Sequence, residues 1–170
     1  IVDGSKKMLD LIPNYNNLTK VHSLFEDFKP NEQFDTIILE HILEHVEEPV
    51  ELLTIVKEWL STGGVIIIGV PNGHSLHRLI GVEMGLLDEP CQLNDRDIAL
   101  GHRRVYTIKS LQEDIIASGL TILENGGVYL KPLSNGQIDE YWNDELIDAY
   151  YKIGDLFPKN TADIYCVCAI

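Results

Sequence analysis

Positive charge is scarce in this chain of 170 residues: 13 Lys and Arg stand against 27 Asp and Glu, a formal net charge of −14. Nucleic acids and anionic membrane surfaces are bound mainly through Lys and Arg, so this balance argues against both as partners. Cysteine is equally sparse. Cys91, Cys166 and Cys168 form no metal-binding spacing, and free thiols in a reduced cytoplasm are the expected state. The last two are separated by one residue, so on a strand both point to one packed face. No apolar run approaches bilayer-spanning length, and no leader of basic, apolar and then small residues is visible. A cytoplasmic location is the expectation. Internal repeats and low-complexity segments are also missing, so residues 1–170 are read as one domain.

What is present is an alternation of strand and helix signals, which implies a mostly parallel sheet covered on both faces. Ile1 and Val2 read as the tail of a strand, with a helix over 5–12 broken by Pro13. Residues 18–22 and 34–39 read as strands. Residues 49–60 repeat apolar side chains at helical spacing, and Ser61-Thr62-Gly63-Gly64 is expected to end that helix. Val65 to Val70 is all apolar, the pattern of a strand buried on both faces. Residues 71–104 read as irregular around one helix over 74–86, and a long segment of that kind is more often functional than filler. A helix over 108–118, a strand with a bulge or turn at Gly126-Gly127, an acidic helical insertion over 135–157 and a closing strand over 162–170 complete the chain.

The most informative stretch is FDTIILEHILEHVEEP, residues 34–49. A buried strand runs into a polar cluster of Glu40, His41, Glu44 and His45, and a new helix follows at Pro49. In open α/β sheets ligands sit beyond the carboxyl ends of the strands, where this cluster falls. The strand, LEHV and proline arrangement resembles the class I S-adenosylmethionine-dependent methyltransferases, and in particular the branch that methylates oxygen on small molecules. IVDGSKKML at the start is similar to that family's second strand and following helix. The resemblance implies a Rossmann-like α/β sheet, mostly parallel with an antiparallel C-terminal strand. A Gly-x-Gly-x-Gly turn, which the family carries after its first strand, is not in this sequence, so the first strand and helix are expected to be missing from the chain.

The resemblance also implies roles. Asp3, followed by Gly4, falls where the family's acid binds the cofactor ribose, although a carboxylate there also suits a helix N-cap. Leu24 and Phe25 fall where the adenine ring packs, with ordinary core packing as the other reading. Glu40, His41 and His45 fall beside the methionine end of S-adenosylmethionine. Some relatives bind a divalent metal through a Glu-x-x-Glu-His motif. His41, Glu44, His45 and His102 could form such a set, yet the same LEH occurs in metal-free relatives, and no metal is the expectation.

GHRRVYT, residues 101–107, falls where the family folds over the transferable methyl group. His102 is the candidate general base, because imidazole takes a hydroxyl proton near neutral pH. His74, after the buried strand, is the second choice. Arg103 and Tyr106 are candidate substrate contacts; Arg104 could join them, or neutralise the domain's own acids. Aromatic and acidic residues of the 135–157 insertion read as a substrate lid, a homodimer contact or a solvated amphipathic helix. GGVYLKPLSN resembles segments of methyltransferases of bacterial surface-sugar biosynthesis. The resulting expectation is methyl transfer from S-adenosylmethionine to a hydroxyl of a small polar metabolite, a sugar or sugar nucleotide. The alternative is a methyltransferase-like module that lost its cofactor turn and serves in binding or assembly.

Overall fold

The computed structural model describes residues 1–170 apart from the side chain of Asp139. The chain divides into two compact units, residues 1–33 and 34–170. In the first, β1 (Val2–Asp3) and β2 (Val21–His22) pair in parallel, with Asp3 opposite His22. Between them lies α1 (Lys6–Leu11), whose first turn is capped by the Ser5 hydroxyl accepting the Met8 N–H. The helix buries Leu9 and stops at Ile12, ahead of Pro13.

The second unit holds a four-stranded sheet. Its strands are β3 (Phe34–Glu40), β4 (Leu60–Pro71), β5 (Thr121–Val128) and β6 (Asp163–Ala169), in the order β3-β4-β6-β5. β3 and β4 are parallel, while β6 runs antiparallel to both β4 and β5. This is the sheet the sequence implied, closing antiparallel strand included.

Helix α2 (Pro49–Lys57) packs Leu52, Leu53 and Val56 inward, and α5 (Ile108–Ala117) adds Leu111 and Ile115. The strands contribute Ile66, Ile68, Val70, Ile164, Cys166 and Cys168 to the buried core. Both cysteines are free and share one face, and burial pushes their thiols up to about 12 and about 11. They stay protonated and act as small hydrophobes.

Three boundaries differ from the sequence reading. Helix α2 ends at Lys57, and Leu60 with Ser61-Thr62-Gly63-Gly64 opens β4 instead of terminating a helix. Phe34 N–H bonds Trp59 O, and a side chain at Gly64 would lie 2.9 Å from Asp35 O, so the glycine serves close strand approach. The 71–104 segment holds two helices, α3 (Leu76–Glu83) and α4 (Asp95–Ala99). The second is only five residues long and is made by its Asn94–Asp97 capping box, too short for periodicity to reveal. The acidic insertion breaks into α6 (Asn135–Tyr141) and α7 (Asp144–Gly154), because the Asn143 side chain caps a new helix. No helix among the described residues is long and apolar enough to cross a membrane.

Candidate active site

In the first unit, parallel pairing sets the carboxyl ends of β1 and β2 side by side, which brings Asp3 and Gly4 against Ser23 and Leu24. Ser23 N–H bonds Asp3 O at 3.2 Å, and a Cβ on Gly4 would stand 3.1 Å from Leu24 Cδ2. The Asp3 carboxylate accepts the Ser5 N–H at 2.6 Å through Oδ1, while Ser5 itself is the N-cap. Oδ2 has no hydrogen-bond partner among the described residues, so a diol could still be met. Leu24 is 60% exposed and Phe25 half-buried, an apolar shelf beside a carboxylate. That combination suits a nucleoside, whose base is flat and whose sugar carries paired hydroxyls.

In the second unit, β3 ends at Glu40 and the chain turns sharply. His41 takes a left-handed φ of 53°, held by its N–H bond to Gly69 O at 3.0 Å. A non-glycine residue in that region is strained, and such strain gathers at functional sites. The Glu40 carboxylate lies directly over Gly69, where any Cβ would overlap it. Gly69→Ala is therefore expected to push Glu40 aside and weaken S-adenosylmethionine binding by about tenfold with the fold intact. Calorimetric titration beside a circular-dichroism melt checks it, and unchanged affinity would remove Glu40 from the site.

His41 is surrounded by acids: Nδ1 is 3.2 Å from Glu44 Oε1, and Nε2 is 3.4 Å from Glu40 Oε1 and 3.9 Å from Asp163 Oδ1. The hydrogen bond to Glu44 raises its pKa most, ahead of the opposing effect of burial. Burial chiefly raises the carboxyls of Glu40 and Asp163, and the neighbouring His41 opposes that in both. Glu44 is fully buried, and its Oε2 has no partner among the described residues.

The 101–105 segment is latched onto this turn. Arg103 N–H bonds Glu44 O at 2.8 Å and its Nε bonds His45 O at 3.1 Å; Arg104 reaches Leu43 O and Glu47 O. The latch carries His102 against His45, ring centroids 4.7 Å apart and edge to face. His102 Nδ1 lies 3.6 Å from Asp97 Oδ1, and Asp97 is held by Arg78 at 3.1 Å. Burial, above all, lowers the His102 pKa, so the ring is neutral near pH 7. One donor atom each from Glu44, His45 and His102 lie within 4.8 Å of one another. His41, the fourth residue of the metal option, is outside that group.

A cavity of about 520 Å³ opens beside these residues, lined by His41, Glu44 and His102 among others. Among the candidates of this unit, Glu40, His45, His74, Arg103 and Tyr106 do not line it. His74 is exposed, its N–H held by Asn72 Oδ1 at 2.9 Å, while Asn72 ties the loop to Lys159 O and Thr161 O. Arg103 spends its guanidinium on the outside of the latch, near Glu47. Tyr106 is 2% exposed, donates to Asp114 Oδ2 at 2.8 Å, and has its phenol pKa pushed up by burial. The structure thus places the tyrosine in the core and the arginine on the latch, both away from the cavity wall.

The cavity wall also brings residues that sequence reasoning missed. His77, Arg96, Asp97, Lys131 and Asp163 come from four separate segments, joined by Tyr151 of the aromatic insertion already singled out. Asp163 had one faint signal, an acid at the start of an otherwise apolar closing strand read over 162–170. Antiparallel pairing sets it opposite Pro71, at the ligand end of β4. His77 Nδ1 is buried without a partner among the described residues, and its pKa falls to about 4, first through burial and then through Lys131 and Arg78. A depressed histidine gives stability that is present above the unfolded value near 6.5 and lost as pH falls toward about 4. Urea unfolding at pH 7.5 and 4.5 should therefore show a larger stability loss in the wild type than in His77→Gln, and an equal loss in both would contradict the buried neutral ring.

The sequence from residue 2 to residue 125 matches the family model described as a methyltransferase domain. The chain belongs to the methyltransferase domain family. No curated protein matches this methyltransferase. Solved structures similar to it include an S-adenosylmethionine-dependent methyltransferase from Mesorhizobium loti, 18% identical, covering 98% of this chain and 77% of that one with a TM-score of 0.62. A second, from Archaeoglobus fulgidus, is also 18% identical, covers 98% and 73%, and has a TM-score of 0.54. The plantazolicin methyltransferase BpumL, in complex with a triazolic desmethylPZN analog and SAH, is 16% identical, covers 98% and 65%, and has a TM-score of 0.59. At these identities the likeness establishes the fold, that of the class I methyltransferases, and the family match adds membership of the methyltransferase domain family. The family match ends within β5, so Tyr129, Lys131, Tyr151 and Asp163 of the cavity wall lie beyond it.

Proposed function

We propose that the protein transfers the methyl group of S-adenosylmethionine to a hydroxyl of a small polar metabolite, with a sugar or sugar nucleotide as the acceptor class. Asp3 receives the ribose hydroxyls, Leu24 and Phe25 the adenine, and Glu40, His41 and His45 the methionine end. The bound sulfonium supplies an already activated methyl, so the protein's part is to orient the acceptor and remove its proton. His102 does the second. Its Nδ1 side faces Asp97, which leaves Nε2 to accept the hydroxyl proton, and the imidazolium so formed is stabilised by Asp97 and Glu44. One observation carries this reading: the His102 imidazole, 3.6 Å from Asp97 Oδ1, stands on the wall of a cavity that His41, next after the end of β3, also lines. The GGVYLKPLSN segment supports the sugar assignment, since Tyr129, Lys131, Ser134 and Asn135 line the same cavity. A calorimetric titration with S-adenosylmethionine tests the reading. Binding in the micromolar range is expected, and the absence of heat together with no S-adenosylhomocysteine formation over a panel of hydroxylated acceptors would reject it.

The orphaned Glu44 Oε2 favours a second reading, in which Glu44, His45 and His102 hold a divalent ion. Their carboxylate and imidazole donors fit such an ion, which would lower the pKa of a bound hydroxyl. Under the first reading, exhaustive chelation leaves turnover unchanged. Loss of turnover that zinc or magnesium restores would favour the second.

A further inference from the structure

The cavity's charge runs against that of the chain. Four of the 13 Lys and Arg line it, Arg78, Arg96, Arg104 and Lys131, but only three of the 27 Asp and Glu. Two of the four cations are committed to structure. Arg78 binds Asp97, Pro90 O and Gln92 O, and Arg104 binds Leu43 O and Glu47 O. The other two are not. The Arg96 guanidinium has no hydrogen bond or ion pair among the described residues, and Lys131 Nζ donates only to the neutral Asn135 Oδ1, at 2.8 Å. Burial chiefly lowers the Lys131 pKa, Asp163 opposes that, and Arg96 adds to it. Two cations on one cavity wall, neither in an ion pair among the described residues, leave positive charge that an anionic ligand could neutralise.

The same wall carries a flat surface. Tyr129 stacks on Tyr151 with centroids 4.5 Å apart and planes 19° apart. Tyr129 holds a left-handed φ of 63°, fixed where Ala162 N–H bonds its carbonyl at 2.7 Å and Leu130 N–H bonds Tyr150 O at 3.1 Å. With His41, it is one of two non-glycine residues of positive φ among those described, and both face the cavity. Backbone strain kept at two points on one cavity suits a binding role more than a packing one.

We propose that the methyl acceptor carries a phosphate group, which binds between Arg96 and Lys131 while the body of the molecule lies along the Tyr129–Tyr151 pair. A phosphate of nearly two negative charges matches two cations; Arg offers a planar fork and Lys a point charge. The inference rests on the methyltransferase reading for the word acceptor, but its binding chemistry is separable from it.

Phenyl phosphate is the probe, since it joins a flat ring to a phosphate monoester. Titrated by calorimetry into the whole protein, it is expected to bind more tightly than inorganic phosphate and than benzoate. Arg96→Gln and Lys131→Gln should each weaken it by about tenfold. Tyr151→Ala should weaken phenyl phosphate and leave inorganic phosphate unchanged. Lys109→Gln, an exposed lysine on α5 paired only with Glu113, is the control and should change nothing. No binding of phenyl phosphate, equal binding by wild type and both charge variants, or preference for benzoate would overturn the proposal. S-adenosylmethionine titrated in parallel separates the two ideas. Cofactor binding without a phosphate effect sinks this inference alone, and a phosphate effect without cofactor binding sinks the methyltransferase reading of the site.

Discussion

Replacing His102 with Gln is expected to lower turnover by about 10²–10⁴-fold while leaving the affinity for S-adenosylmethionine unchanged. The imidazole is held by burial in its neutral form and fixed through Asp97, which Arg78 holds in turn. Glutamine keeps the volume and polarity of the ring but cannot take a proton near neutral pH, so the loss should fall on kcat and not on cofactor binding. His74→Gln is the matched comparison. That histidine is exposed and outside the cavity, so its substitution should leave both quantities alone. A His102→Gln enzyme with full turnover would show that orientation of the acceptor suffices without a base, which methyl transfer from an activated sulfonium permits in principle.

Removing the Asp3 carboxylate is the second large expected effect. Asp3→Ala should weaken S-adenosylmethionine binding by about 10²-fold, because two charge-assisted hydrogen bonds to the ribose are lost together. The same carboxylate also accepts the Ser5 N–H, and loss of that contact alone would loosen the start of α1. Asp3→Asn separates the two effects. The amide oxygen still accepts from Ser5, whereas the free oxygen becomes a donor without charge, so an intermediate loss of about tenfold is expected with an unchanged melting temperature. If Asp3→Asn binds the cofactor as the wild type does, the carboxylate is only a helix-start device.

His41 and Glu44 show how one turn serves both chemistry and fold. His41 bridges Glu40, Glu44 and Asp163, three carboxylates drawn from β3, the following turn and β6. Like charges gathered this closely would repel without a cation among them, and the raised His41 pKa supplies one over a wider pH range. A protonated His41 there offsets the mutual repulsion of the three carboxylates at the edge of the cavity. Its backbone strain is the counterpart of that placement.

Local pattern was enough for the architecture. The all-apolar run of β4, the helical spacing of α2 and α5 and the strand ending at Glu40 are periodic signals, and burial enforces periodicity wherever an element faces the core. The same logic made Glu40, His41, Glu44 and His45 visible, because polar residues crowded at the end of a buried strand break the pattern. Asp3, Gly4, Leu24 and Phe25 were candidates through the family resemblance, and the parallel pairing of β1 and β2 sets Asp3 opposite His22. The placement of Tyr106 and Arg103 was not legible, because neither residue type announces its direction. A tyrosine bonded to Asp114 in the core and an arginine bound to a carbonyl look alike in sequence to ligand contacts.

The sequence by itself determined the sheet, α2, α5 and the polar turn after β3. Those follow from short-range spacing, which each segment carries alone. Only the tertiary structure decided what His102 faces. Asp97, Arg96, Lys131, Tyr151 and Asp163 meet across separations of tens of residues, through a five-residue helix made by its cap, an antiparallel strand and a strained tyrosine. Contacts of that range are set by how elements pack against one another, and no local pattern encodes them.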